Sequence, residues 1–177
     1  TTAITGNLTL KGTAATTTVA NLTVGGVLSI GDGTTFTAAG FNLTVTGATT
    51  VGAGASGNLT ISSATGTKIF TGLVTVNAGG TWDNTAANSP VTFRGGITNN
   101  GTFNAGTGIH TFDTNAQALN GTLSIPNATV TTITLTNNGT LTVGTALSGT
   151  GGLTNAATGT LNIGGTSGIT TMTASAV

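Results

Sequence analysis

Few side chains in this sequence could do chemistry. The acids are Asp32, Asp83 and Asp113, and there is no glutamate. The bases are Lys11, Lys68, Arg94 and His110, and there is no cysteine. Paired carboxylates would support acid–base cleavage of a glycosidic bond, but only if they converge on one bond. The three aspartates fall at unlike positions of the repeating pattern described below, so no pair is expected. A lone imidazole without cysteine or a neighbouring acid does not make a zinc site. His110, beside Thr111 and Phe112, reads as an outward-pointing surface residue. Ile30-Gly31-Asp32-Gly33 is a single acidic turn, far short of the oxygen ligands that Ca²⁺ requires. The sequence therefore predicts no catalytic residue, no metal, no cofactor and no enzyme.

If chemistry is absent, the elements have to explain the sequence. The chain has 177 residues, of which 3% are charged, and its formal net charge is zero. An average soluble domain has about 25% charged residues. Threonine makes up about a quarter of the chain, and there are 30 glycines but only 2 prolines. Collagen and proline-rich linkers are excluded on that composition. Disorder is excluded as well, because disordered chains are poor in β-branched residues and rich in charge. Mean hydropathy is positive at +0.33. Yet apolar residues are interleaved with Thr, Asn and Gly, and no run approaches the ~18 residues of a membrane helix. With Lys11, Lys68 and Arg94 as the cations, there is no footprint for phosphates or for an anionic membrane surface. Neither nucleic acid nor membrane insertion is expected.

One pattern recurs: Gly, then Thr or Asn, then apolar, polar, apolar. It reads Gly6-Asn7-Leu8-Thr9-Leu10, Asn21-Leu22-Thr23-Val24, Asn42-Leu43-Thr44-Val45 and Gly57-Asn58-Leu59-Thr60-Ile61. It continues as Gly80-Thr81-Trp82, Gly101-Thr102-Phe103 and Gly121-Thr122-Leu123-Ser124-Ile125. The last copies are Gly139-Thr140-Leu141-Thr142-Val143 and Gly159-Thr160-Leu161-Asn162-Ile163. From Gly80 onward the step is about 18–21 residues, within the range of stacked repeats. The alternation has period 2, the mark of a strand with one buried face. A second strand follows each motif: Lys68-Ile69-Phe70, Val91-Thr92-Phe93, His110-Thr111-Phe112 and Thr132-Ile133-Thr134-Leu135. A third is expected at Leu73–Val76 and at Ile97-Thr98.

These features predict an all-β protein, a parallel β-helix or β-solenoid of about nine coils of roughly 20 residues each. Parallel crossovers predict a right-handed coil. Residues 1–177 read as a single solenoid and as a segment of a longer or polymerised assembly. Hairpins are the rival, because Asn100-Gly101, Asn120-Gly121 and Asn138-Gly139 suit type I′ turns. The solenoid is favoured because these pairs recur at the repeat spacing, each directly before the same strand. Stacking at about 4.8 Å per coil gives a rod on the order of 40 Å long. Phe70, Phe93 and Phe112 should then lie one above another. Asn repeated at one corner should form a ladder. Gly and Asn at the corners should accommodate positive φ.

The remaining patterns belong to the surface. Trp82 and the phenylalanines could stack on sugars, but they fall at inward positions and read as core. Trp82 takes the slot that Leu8, Leu22, Leu141 and Leu161 hold elsewhere. Outward pairs such as Asn58/Thr60, Thr122/Ser124 and Thr140/Thr142 could present a hydroxyl array to glycan or ice. Thr is also simply a good strand former. Asn-x-Ser/Thr recurs at Asn7, Asn21, Asn42, Asn58, Asn100, Asn120, Asn127 and Asn138, as any repeat with a corner Asn and a Thr two residues on would produce.

Four stretches carry two resemblances. Leu147-Ser148-Gly149-Thr150-Gly151-Gly152-Leu153-Thr154, followed by Gly159-Thr160-Leu161-Asn162-Ile163-Gly164-Gly165, resembles the autotransporter-associated β-strand repeat of bacterial passenger domains. Gly96-Ile97-Thr98-Asn99-Asn100-Gly101-Thr102-Phe103 and Asn137-Asn138-Gly139-Thr140-Leu141-Thr142-Val143 are similar to the low-charge repeats of secreted surface proteins of the Bacteroidota type. The resemblance implies a right-handed β-helix in an extracellular adhesin or fibre, with no catalytic or binding residue carried over. The expectation is a structural protein at the cell surface or outside the cell, associating with its own copies through solenoid ends or faces. Its alternative is a module binding glycan or ice through an exposed Thr/Asn face. Any distinctive lateral surface is expected at Asp83, Arg94, Asn104 and His110, where the repeat is least typical.

Overall fold

The computed structural model describes residues 1–174. Among them there are strands and corners but no helix, and every strand pair is parallel. The chain winds through about nine coils as a β-solenoid. Partners one coil apart are separated by 18 to 25 residues. Most coils place strands on three faces. The first face begins with Thr2–Ile4, Leu22–Val24, Leu43–Val45 and Lys68–Phe70. It continues with Val91–Phe93, Ile109–Phe112 and Asn127–Val130. The second face starts at Leu8–Leu10 and Leu28–Ile30, and the third at Ala15–Thr17 and Thr35–Ala38.

The strands are short because each is one side of a narrow coil. The usual strand is apolar-polar-apolar, with its two apolar residues pointing inward, as in Leu43-Thr44-Val45 and Val74-Thr75-Val76. A single coil cannot bury those residues; the next coil, one strand spacing away, covers them. Leu43, Val45, Val74, Val76, Leu59 and Ile61 are all fully buried.

The middle of the rod is filled by aromatics. Phe70 lies 6.0 Å from Phe93, and Phe93 lies 5.6 Å from Phe112, near-parallel rings stacked in successive coils as expected. Trp82 enters from the third face, edge-on to Phe70 at 5.0 Å and stacked on Phe103 at 5.3 Å. Phe93 is the hub, also 5.7 Å from Trp82 and 6.3 Å from Phe103.

The expected positive φ is present at corner residues such as Gly12 and Gly33 (+70° each), Gly66 (+77°) and Asn88 (+49°), but at the Asn-Gly corner the reason for glycine is different. The Asn-Gly pairs make no hairpins; they lead from the second face to the third. Gly121 has φ +81°, and a side chain there would strike the Asn99 carbonyl of the coil below. Gly139 has no such φ, yet a Cβ would collide with the Gly121 carbonyl oxygen. Close approach of stacked backbones, more than left-handed geometry, requires glycine at that corner.

Register is less uniform than the motif suggests. Leu59, Trp82 and Phe103 do share one column of the third face. Leu8 pairs with Leu28 on the second face, and Leu22 with Leu43 on the first. Leu8 and Leu22 therefore do not share the Trp82 slot. Likewise Thr134–Asn137 lies on the second face, while the strand that stacks on Phe112 is Asn127–Val130. All three faces use the same alternation, so a five-residue motif cannot say which face it occupies.

Phe93→Ala is expected to destabilise the rod by about 3–5 kcal/mol, because the hub leaves a cavity that stacked neighbours cannot close. Urea unfolding followed by the emission of Trp82, the single tryptophan, measures this.

Candidate functional site

The four residues singled out by the sequence do not come together. Asp83 and Asn104 are neighbours on the outward side of the third face, in paired strands. Asp83 accepts from the Thr85 amide at 2.9 Å and from the Thr85 hydroxyl at 2.7 Å, closing the turn that follows its strand. Arg94 lies just past the first-face strand Val91–Phe93. Its Nε donates to Asp113 Oδ1 of the next coil at 2.8 Å, and Nη2 reaches Oδ2 at 3.4 Å. Those side chains are 33% and 25% exposed, so water screens the pair substantially.

His110 is the correction. It is fully buried, not on the surface. In Ile109-His110-Thr111-Phe112 the core position of Phe112 fixes the parity of the strand. The residue two before Phe112 must share its inward side, and Ile109 is turned out to solvent at 52% exposure. Lys68 obeys the same parity with Phe70 and is 1% exposed. Its ammonium escapes to the corner, donating to the carbonyls of Thr65 at 2.8 Å and Gly66 at 3.1 Å. Burial lowers its pKa below that of a free lysine.

The polar groups that carry the most hydrogen bonding were not singled out by the sequence. Asn84, fully buried, donates to the carbonyls of Ser89 at 2.8 Å and of Ala105, one coil on, at 2.9 Å. Its Oδ1 accepts from the Ser89 amide at 2.9 Å. Gln117 donates to the carbonyls of Phe93 at 2.9 Å and Asp113 at 2.8 Å and accepts from the Gly96 amide at 3.0 Å. Both amides satisfy backbone groups where coils turn. The available signal was a lone amide among apolar inward positions.

The recurrent Asn-x-Ser/Thr is explained the same way. Asn7, Asn21 and Asn42 each accept from a backbone amide one coil up: Val27 at 2.8 Å, Asn42 at 3.0 Å and Thr67 at 2.9 Å. At another corner Asn137 donates to Asn155 at 2.7 Å, and Asn138 donates to Asn120 at 3.1 Å; each is a single Asn–Asn rung, and Asn120 passes on to the Thr98 hydroxyl, so the expected continuous Asn ladder does not form along the described rod.

Among the described residues no three His, Cys, Asp or Glu side chains cluster. What the outer surface does present is regular. The third face shows outward pairs in register: Thr35/Thr37, Asn58/Thr60, Thr81/Asp83 and Thr102/Asn104. The second shows the column Thr9, Ser29, Thr50, Thr75 and Thr98. No family model, no curated protein and no solved structure matches this chain.

Arg94→Ala is expected to cost less than about 1 kcal/mol, as half-exposed ion pairs do. Gln117→Ala, which strands buried backbone groups, is expected to cost about 2–3 kcal/mol. Urea midpoints at low and high salt test the pair of values; a larger loss for Arg94→Ala than for Gln117→Ala would reverse this ranking.

Proposed function

We propose that this chain is a structural element, a rod segment of an extracellular bacterial surface fibre, sheath or adhesin stalk. The observation that carries the reading is the continuity of the stack. About nine coils share one core, and the outer faces are lattices of Thr, Ser and Asn with no cluster of catalytic or metal-binding side chains among the described residues. Near-neutral faces remove the repulsion that keeps most soluble proteins apart. The resemblance of Leu147–Thr154 and Gly159–Gly165 to passenger-domain repeats supports an extracellular setting.

The paired hydroxyls of the third face favour one second reading, a module that binds glycan or ice through that lattice. The face is interrupted by Asp83 and Asn104, and Asp83 already bonds Thr85.

For the structural reading, sedimentation and negative-stain microscopy are expected to show rods joining into linear or lateral assemblies as concentration rises. Monodisperse single rods at millimolar concentration would overturn self-association. Ice-recrystallisation and glycan-array signals are expected to be absent; a signal abolished by Thr37→Val with Thr60→Val would replace this reading with the second.

A further inference from the structure

The aromatic belt holds a titratable ring in an unusual position. His110 belongs to an inward column of the first face, between Val91 in the coil below and Ala128 in the coil above. Its ring lies stacked on Phe93 at 6.0 Å and edge-on to Phe103 at 6.4 Å. Nδ1 is 3.0 Å from the Gly108 carbonyl, which can only accept, so Nδ1 carries the proton. Nε2 is then a bare lone pair, buried and without a hydrogen-bond partner. Trp82 Nε1, in the same belt, is a donor and is also without a partner.

No acid faces this ring among the described residues. On its own strand's exit, Asp113 is paired with Arg94 at the surface. The strand below, Val91–Phe93, and the strand above, Asn127–Val130, contain no charged residue. Across the core, Thr102–Asn104 is uncharged, and Asp83 of Gly80–Asp83 is turned outward to Thr85. Further down the column, beyond Val91, the inward residue is Lys68, another base. The column thus holds nitrogen bases and no counter-ion.

We propose that His110 is an acid trigger built into the rod: a proton on Nε2 opens the coils around the aromatic belt. An imidazolium there would bury a charge with no counter-ion and a new N–H with no acceptor, and such a group leaves the core or unfolds it. Exposing the ring requires separating the strands that hold Phe93, Phe103 and Phe112. Burial pushes the imidazole pKa down to about 4, against an ordinary 6.5, with the Gly108 hydrogen bond opposing in part. The folded value lies below the unfolded one, so the folded rod binds fewer protons. Its stability is therefore full above pH 6.5 and falls as pH drops toward 4. Composition makes the effect readable. With no glutamate and one histidine in the chain, His110 is the side chain whose ordinary pKa lies in that window.

The test is chemical unfolding of the full chain at pH 7.5, 5.5 and 4.2, read by Trp82 emission, for the wild type, His110→Leu and His110→Gln. The unfolding constant of the wild type is expected to rise on the order of 10²-fold or more between the extremes, the span set by the pKa difference. His110→Leu is expected to be nearly flat over the same range. An equal pH slope in wild type and His110→Leu, or a flat wild type, overturns the proposal. Should both variants fail to fold, NMR titration of the His110 ring in the wild type decides. A ring that stays neutral in the folded rod down to pH 5 supports the trigger, and a ring that protonates near 6.5 without loss of structure overturns it.

Discussion

Every coil must be covered by the next at one strand spacing, and that constraint determines most of the sequence. A residue pointing inward meets the residue at the same position in the neighbouring coil, as Phe93 meets Phe70 and Phe112. Side chains in a column must therefore stack without clashing. Aromatics achieve this by lying near-parallel, with interplanar angles of 21° for both Phe pairs. The same constraint acts on the backbone at corners, where a Cβ at Gly139 would strike the coil below. Composition follows from it: small residues where backbones approach, β-branched and aromatic residues inside, and short polar residues outside.

Corners add a second demand. A buried backbone amide or carbonyl needs a partner, and the chain leaves the sheet ladder at each bend. Asn and Gln supply those partners, reaching to the backbone of the same corner or of the adjacent coil. Asn84 and Gln117 do so inside the rod, and Asn7, Asn21 and Asn42 along its edge. These amides tie coil to coil without charge, so little formal charge is needed to hold the stack.

How much of this was legible depended on whether a residue's neighbours in sequence or in the next coil decided its place. The period-2 alternation and its recurrence revealed the parallel solenoid, because strands that stack on their copies must resemble them. Face assignment was not legible for Leu8 and Leu22. Their five-residue contexts match the third-face motif, and only coil length, which varies along the chain, separates the faces. His110 departs from expectation for a different reason: its polarity suggests the surface, whereas the parity of its strand places it inside. Phe112 two residues on held the answer, and Ile109 outside with His110 inside is the consequence. Asn84 gave only the parity of an inward amide two residues after Trp82, since its partners Ser89 and Ala105 are fixed by a loop and a neighbouring coil. The candidate surface dissolved on the same grounds: Asp83 and Asn104 share a face, Arg94 follows a strand of another, and His110 lies within.

The scarce charges bear on what the rod can do. Arg94 and Asp113 join adjacent coils, Asp32 accepts from the Ser56 hydroxyl of the next coil, and Asp83 closes a local turn. Lys68 is turned back onto its own corner, and His110 is inside the core. Of the ionisable side chains, Lys11 alone, among the described residues, is exposed with no ion pair or side-chain hydrogen bond. On the proposed structural reading, a surface on which charge serves internal ties offers a partner little electrostatic complementarity, which ordinarily gives association its specificity and its on-rate. That reading places recognition in the spacing of short hydroxyl and amide groups along the rod, a spacing set by the coil itself. Under the same proposal a neighbour with the same period would fit best, and another length of the same solenoid has that period by construction.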